Sequence, residues 1–119
     1  MGPRRVVPNI TSERFAESKA FYTDVLGFEV AMDLEWIVGF VSPTEPHPGI
    51  QIVSRDATAP VNPAVSIQVD DIDAVYAAAM KAGALIVHPI TVEPWGVKRF
   101  FVQDPNGAVI NVMTHVEKT

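Results

Sequence analysis

A chain of 119 residues suits one domain with a substantial core, and 48% hydrophobic residues fit a compact globular protein. The net charge of −5, with lysine and arginine scattered, disfavours nucleic acid, whose binding wants a concentrated basic face. No cysteine is present, which excludes disulfides and thiolate metal sites, and no apolar run approaches the ~18 residues that span a bilayer.

The opening MGPRRVVPNI lacks the long apolar segment of a secretory leader, and Val6 stands where a lipid signal after Gly2 needs Ser or Thr. The expectation is a cytoplasmic protein that engages neither membrane nor nucleic acid. Residues 4–10 read as a first strand, and Pro3 and Pro8 suggest that it lies at an edge or pairs irregularly. Thr11 or Ser12 then caps a helix running to about Leu26, with Phe15, Tyr22, Val25 and Leu26 on one side and Gly27 as its C-terminal cap. Residues 28–34, 36–42 and 50–53 follow as strands, the last two separated by the proline-rich loop PTEPHPG.

The polar, proline-punctuated stretch SRDATAPVNP divides the chain into halves at 1–54 and 64–119, with 55–63 as linker. Residues 64–69 alternate as a strand. Asp70 or Asp71 caps a second helix, and Ile72, Val75, Tyr76, Ala79 and Met80 give it one apolar face that ends at Gly83. Residues 85–92 form the next strand. Val97–Gln103, the turn Asp104-Pro105-Asn106-Gly107 and Ala108–Met113 then close the chain as a hairpin.

The halves repeat one another as strand, helix and three strands. Leu26-Gly27-Phe28-Glu29-Val30 corresponds to Ala82-Gly83-Ala84-Leu85-Ile86, and Ile50-Gln51-Ile52-Val53 to Ile110-Asn111-Val112-Met113. Two such βαβββ units must each bury one sheet face under a helix and share the other. The fold class is therefore α+β. Within this pattern Asn111 stands out, because an amide among strand aliphatics costs about 1–3 kcal/mol if it is buried without a partner.

The closing segment EPWGVKRFFVQDPNGAVINVM resembles the C-terminal signature of the vicinal-oxygen-chelate superfamily, the glyoxalase, bleomycin-resistance and extradiol-dioxygenase group. Phe21-Tyr22-Thr23-Asp24-Val25-Leu26-Gly27-Phe28 is similar to the end of that family's first helix, and the resemblance covers essentially the whole chain. It implies paired, curved mixed sheets around a cavity, with helices on the outer faces. In metal-using members, ligands come from the first and last strands of each half. Carried onto this chain, those positions are Asn9, Gln51, Ala64 and Asn111, with Asn111 where the family usually has a Glu.

None of the four is His, Asp or Glu, so the expectation is no metal and no other cofactor: neutral amides leave a divalent ion's charge uncompensated. His47, His88 and His115 have no metal-ligand spacing among themselves and read as surface or rim histidines. Asp70, Asp71 and Asp73 read as helix caps. What remains is a pocket for a small molecule. The residues expected to face it are Trp36, Phe40, Gln51, Val53, Ser66, Gln68, Trp95, Asn111 and Met113, with the two tryptophans as flat walls for an aromatic ligand. Only one of Phe100 and Phe101 can face inward, and Arg99 reads as a solvated strand residue.

The resemblance is nearest to the drug-sequestering branch typified by bleomycin-resistance proteins. It implies a homodimer that captures a hydrophobic or aromatic compound, such as an antibiotic, without turnover. The alternative is a glyoxalase- or dioxygenase-type enzyme, a lyase or isomerase with a non-standard metal site or with metal-free acid–base chemistry on His115, His88 or Tyr22. A third reading is a regulatory or structural dimer, whose mark would be a cavity filled by its own side chains.

Overall fold

The computed structural model describes residues 2–116. Met1, read above with Gly2, and the last three residues of the C-terminal half lie outside the described residues. The chain runs β1 (Arg5–Thr11), α1 (Phe15–Ala20), β2 (Glu29–Asp33), β3 (Ile37–Val41) and β4 (Gly49–Val53). It then repeats the order as β5 (Val65–Gln68), α2 (Ile72–Lys81), β6 (Ile86–Glu93), β7 (Val97–Gln103) and β8 (Val109–His115).

The strands form one mixed eight-stranded sheet in the order β2-β3-β4-β1-β5-β8-β7-β6. Each half supplies four neighbours, and the antiparallel β1–β5 pair joins the halves. Period-two alternation then sorts the side chains. Val38, Phe40 and Ile52 face one way into a core with Phe15, Tyr22 and Phe28, while Phe100, Val112, Val69 and Ile72 form the equivalent core with Val75 and Tyr76 of α2. The opposite face of both halves is left for the cavity.

Three local expectations need correction. The first strand is central rather than an edge, and of the two readings of its prolines irregular pairing is the one observed: residues 5–8 pair with β5 and residues 9–11 with β4. Pro8 falls where the strand changes partners, so its missing N–H interrupts no long ladder. The first helix is capped differently, since Ser12 Oγ accepts from the Arg14 N–H (3.0 Å) and Arg14 itself is the N-cap. Finally, that helix changes to a π-helical turn over Phe21–Val25, with the Leu26 N–H reaching Phe21 O at 3.3 Å. The extra residue per turn rotates the apolar stripe. Phe15 and Tyr22 stay on the core, while Val25 and Leu26 turn to solvent.

The second helix follows its sequence signals except at Met80, which is exposed rather than on the buried face. Asp71 Oδ1 accepts from the Ala74 N–H (3.1 Å), and Asp73 and Lys81 complement the dipole at opposite ends. Gly27 and Gly83, both with positive φ, end the two helical segments at equivalent places in the repeat.

Candidate functional site

The inner face of the sheet encloses a cavity of about 360 Å³ lined by residues from both halves of the one chain. The strand registers define its floor as two matching rows. In the N-terminal half, Gly39 pairs with Gln51 and Gln51 with Asn9; in the C-terminal half, Phe101 pairs with Asn111 and Asn111 with Ser66.

The register moves one predicted position. Ser66, not Ala64, stands opposite Asn111; the Ala64 carbonyl instead accepts from the Asn9 N–H across the β1–β5 seam (3.0 Å). Pro63 marks where β5 begins, but no residue in Ala64–Gln68 fixes which of them lies opposite Asn111, so sequence could not fix this register. With that shift, the positions that the resemblance offers as metal ligands become Asn9, Gln51, Ser66 and Asn111. Their donors are three amides and a hydroxyl, all neutral, which do not fit a divalent transition-metal ion.

Three of these side chains bond to one another instead. Asn9 Nδ2 and Asn111 Nδ2 both donate to Ser66 Oγ at 3.0 Å, and the Oδ1 atoms of both asparagines are buried without a partner among the described residues. Asn111, 8% exposed, therefore carries an uncompensated polar atom in the interior.

The other expected residues also lie along the cavity. Trp36, Gln51, Val53, Gln68, Trp95 and Met113 line it, as does His115. Trp36 and Trp95, one from each half, meet edge to face with ring centroids 5.0 Å apart. Phe40 reaches the cavity wall, but its ring packs against Tyr22 (5.1 Å) in the core under α1. Trp36 precedes β3 and reaches the cavity without following the strand's alternation, which turns Phe40 to the core.

Sequence reasoning missed the strongest electrostatic feature. Arg99 is 3% exposed rather than solvated. Its Nη1 and Nη2 grip the Asp56 carboxylate at 2.8 and 2.6 Å, and its Nε donates to Glu93 Oε2 at 2.7 Å. Its guanidinium also lies 4.8 Å from the rings of Trp95 and Phe101. Glu93 Oε2 accepts further from Thr58 Oγ1 (2.6 Å) and lies 3.2 Å from His88 Nε2. An ionised carboxylate only accepts, so that nitrogen carries the hydrogen. His88 is thus buried in a polar network and is not a rim residue.

Burial pushes the Glu93 carboxyl up, but hydrogen bonds from Thr58 and Arg99, the arginine's charge and the His88 contact outweigh it and hold the group below its ordinary 4.5. The stretch read as a linker helps build this wall. Asn62 Oδ1 accepts from the Asp56 N–H (2.6 Å), and Asn62 Nδ2 donates to Thr11 Oγ1 and Ser54 O, both at 3.2 Å. One signal for Arg99 was available: a charge in the strand VKRFFVQ on the same face as Val97 and Phe101 needs a buried partner. Phe101 is the inward member of the Phe100–Phe101 pair, but Arg99 and His88 cover it.

Residues 5–112 match the model of the glyoxalase/bleomycin resistance protein/dioxygenase superfamily, and the chain belongs to that superfamily. No curated protein matches it in sequence. Among solved structures it is similar to a glyoxalase/bleomycin resistance protein/dioxygenase superfamily member from Vibrio splendidus, with TM-score 0.68 and 24% identity over 95% of this chain and 99% of that one. It also resembles methylmalonyl-CoA epimerase from Mycobacterium tuberculosis (TM-score 0.72, 16% identity, 98% and 89% covered). A third similar structure is the NAD-dependent benzaldehyde dehydrogenase from Legionella pneumophila (TM-score 0.73, 17% identity, 92% and 98% covered). At these identities the likenesses establish the fold.

Proposed function

We propose that this protein binds a hydrophobic or aromatic small molecule without a metal ion and sequesters it, as bleomycin-resistance proteins of the superfamily do with an antibiotic. The observation that carries the reading is the cavity itself. About 360 Å³ lies open between two tryptophans and a floor whose four metal-equivalent positions are all neutral. An open cavity also speaks against a purely structural role. Capture would combine contact with Trp36 and Trp95, apolar burial, and hydrogen bonds from Gln51, Gln68 and Asn111.

The enzyme alternative by acid–base chemistry narrows to one group. Tyr22 is committed to the core under α1 and His88 to Glu93, which leaves His115 on the cavity wall. We further propose a homodimer; the exposed apolar side chains Phe21, Val25, Leu26 and Val30, close together in sequence, support it. A cytoplasmic location also belongs to the proposal; no described helix is long and apolar enough to cross a membrane.

The test is titration of the tryptophan emission of chelator-treated protein with a panel of aromatic compounds that includes bleomycin, with subunit count by native mass spectrometry. Saturable, stoichiometric quenching without turnover supports capture. Conversion of a compound, or binding that requires added metal, overturns it.

A further inference from the structure

We infer that the cavity is built for an organic anion, an aromatic or hydrophobic molecule bearing a carboxylate or sulfonate, and that Arg5 holds the charged group. The inference rests on the small-molecule-binding reading above and adds the ligand's charge class to it. Two arginines line the cavity, and they differ in kind. Arg99 has its charge matched by Asp56 and Glu93. Arg5 forms no ion pair among the described residues, where the pairs are made by Arg4, Arg14, Lys19, His88, Lys98 and Arg99.

Arg5 is nonetheless held in place. Its Nε donates to the His47 carbonyl in the proline-rich loop at 3.2 Å. Its guanidinium lies against the backbone of Gly49, where an added Cβ would collide with the terminal nitrogen. A guanidinium carries five N–H donors, and only the Nε–H of Arg5 has a protein acceptor among the described residues. Gln68, its partner across β1–β5, adds an amide on the same wall. The planar fork that remains matches two oxygens of one anionic group.

Competing negative charge among the described residues is accounted for. Both Asp56 oxygens are gripped by Arg99, and Glu93 does not line the cavity. His115, the remaining titratable side chain on the wall, cannot add negative charge. A chain of net charge −5 thus presents in its pocket a cation with no ion-pair partner among the described residues.

Two fluorescent probes with one ring system test this: 8-anilinonaphthalene-1-sulfonate and its neutral parent N-phenyl-1-naphthylamine. The anionic probe should bind about tenfold more tightly, as a charge-assisted hydrogen-bonded contact implies. Added salt should shrink the difference. Arg5→Gln should remove the preference while leaving the neutral probe's affinity unchanged. Gly49→Ala, which displaces the guanidinium from its seat, should do the same by an independent route. Gly39→Leu, which fills the cavity, should weaken both probes.

Equal affinity for the two probes, or a preference that survives both Arg5→Gln and Gly49→Ala, would overturn the anion assignment and leave small-molecule capture standing. A preference that survives Gly39→Leu would place the anion outside the cavity and overturn the assignment as well. Failure of both probes and of the aromatic panel would remove the capture reading itself.

Discussion

The Asp56 carboxylate and the Arg99 guanidinium form a two-point ion pair across 43 residues of sequence, with both partners almost fully buried. One residue comes from the segment between the halves and the other from the middle of β7. Arg99→Leu would leave Asp56 and Glu93 buried without their cation, at a cost of about 3–5 kcal/mol. Urea denaturation followed by circular dichroism measures this. A loss below about 1 kcal/mol would mean that the pair contributes little beyond its own desolvation.

Acid should destabilise the protein partly through Glu93. Its folded-state pKa lies below the ordinary 4.5, so on acidification the unfolded chain takes up the proton first. The stabilisation is complete above about pH 4.5 and is lost as pH falls through the lower folded value. Asp104 acts in the same direction, lowered by the backbone N–H of Ala108 against slight desolvation and further by Asn106. Stability measured between pH 6 and 3 should therefore fall less steeply in Glu93→Gln, with a residual slope that Asp104→Asn reduces. An unchanged slope in the double variant would assign acid sensitivity elsewhere.

Asn111 Oδ1, without a partner among the described residues, predicts a conflict between stability and binding. Asn111→Leu removes one hydrogen bond to Ser66 but also an uncompensated buried acceptor. Its stability should range from unchanged to about 1 kcal/mol higher. Affinity for the cavity's ligand should fall. A marked loss of stability would show that the amide serves the fold.

Gly39 leaves open in one half the space that Phe101 fills in the other, since the two occupy matching rows beside Gln51 and Asn111. A Cβ at position 39 would meet Met32 Cβ at 3.5 Å and Gln51 Cγ at 3.8 Å, which is ordinary contact. Gly39→Ala should therefore fold and bind normally. Gly39→Leu should fold yet lose most ligand affinity in calorimetric titration.

Local signals made most of the fold legible. The Asp104–Gly107 turn, the Gly27 and Gly83 caps and the period-two strands placed the elements, and the Gln51–Asn111 correspondence located the floor of the cavity. What escaped was set by long-range pairing. Arg99 looked solvated because Asp56 lies in a stretch that reads as linker. Pro8 suggested an edge because nothing nearby shows β1 changing neighbours. The helical turn at Phe21–Val25 has the sequence of a regular helix, because the shift to Leu26–Phe21 bonding leaves no mark in residue type.

The divided pairing of β1 also orders assembly as the chain is made. Residues 9–11 can pair with β4 once the first half is complete, but residues 5–8 must wait for β5 at residues 65–68. Until then Arg5 and Val7 sit on an unfinished edge, the kind of exposed strand that invites pairing with other chains. Ser66, Trp95 and Asn111 also belong to the second half. A nascent chain stopped in the segment around Asp56 therefore has a helix-backed sheet but no enclosed cavity. The cavity closes only when the last strand, β8, takes its place beside β5.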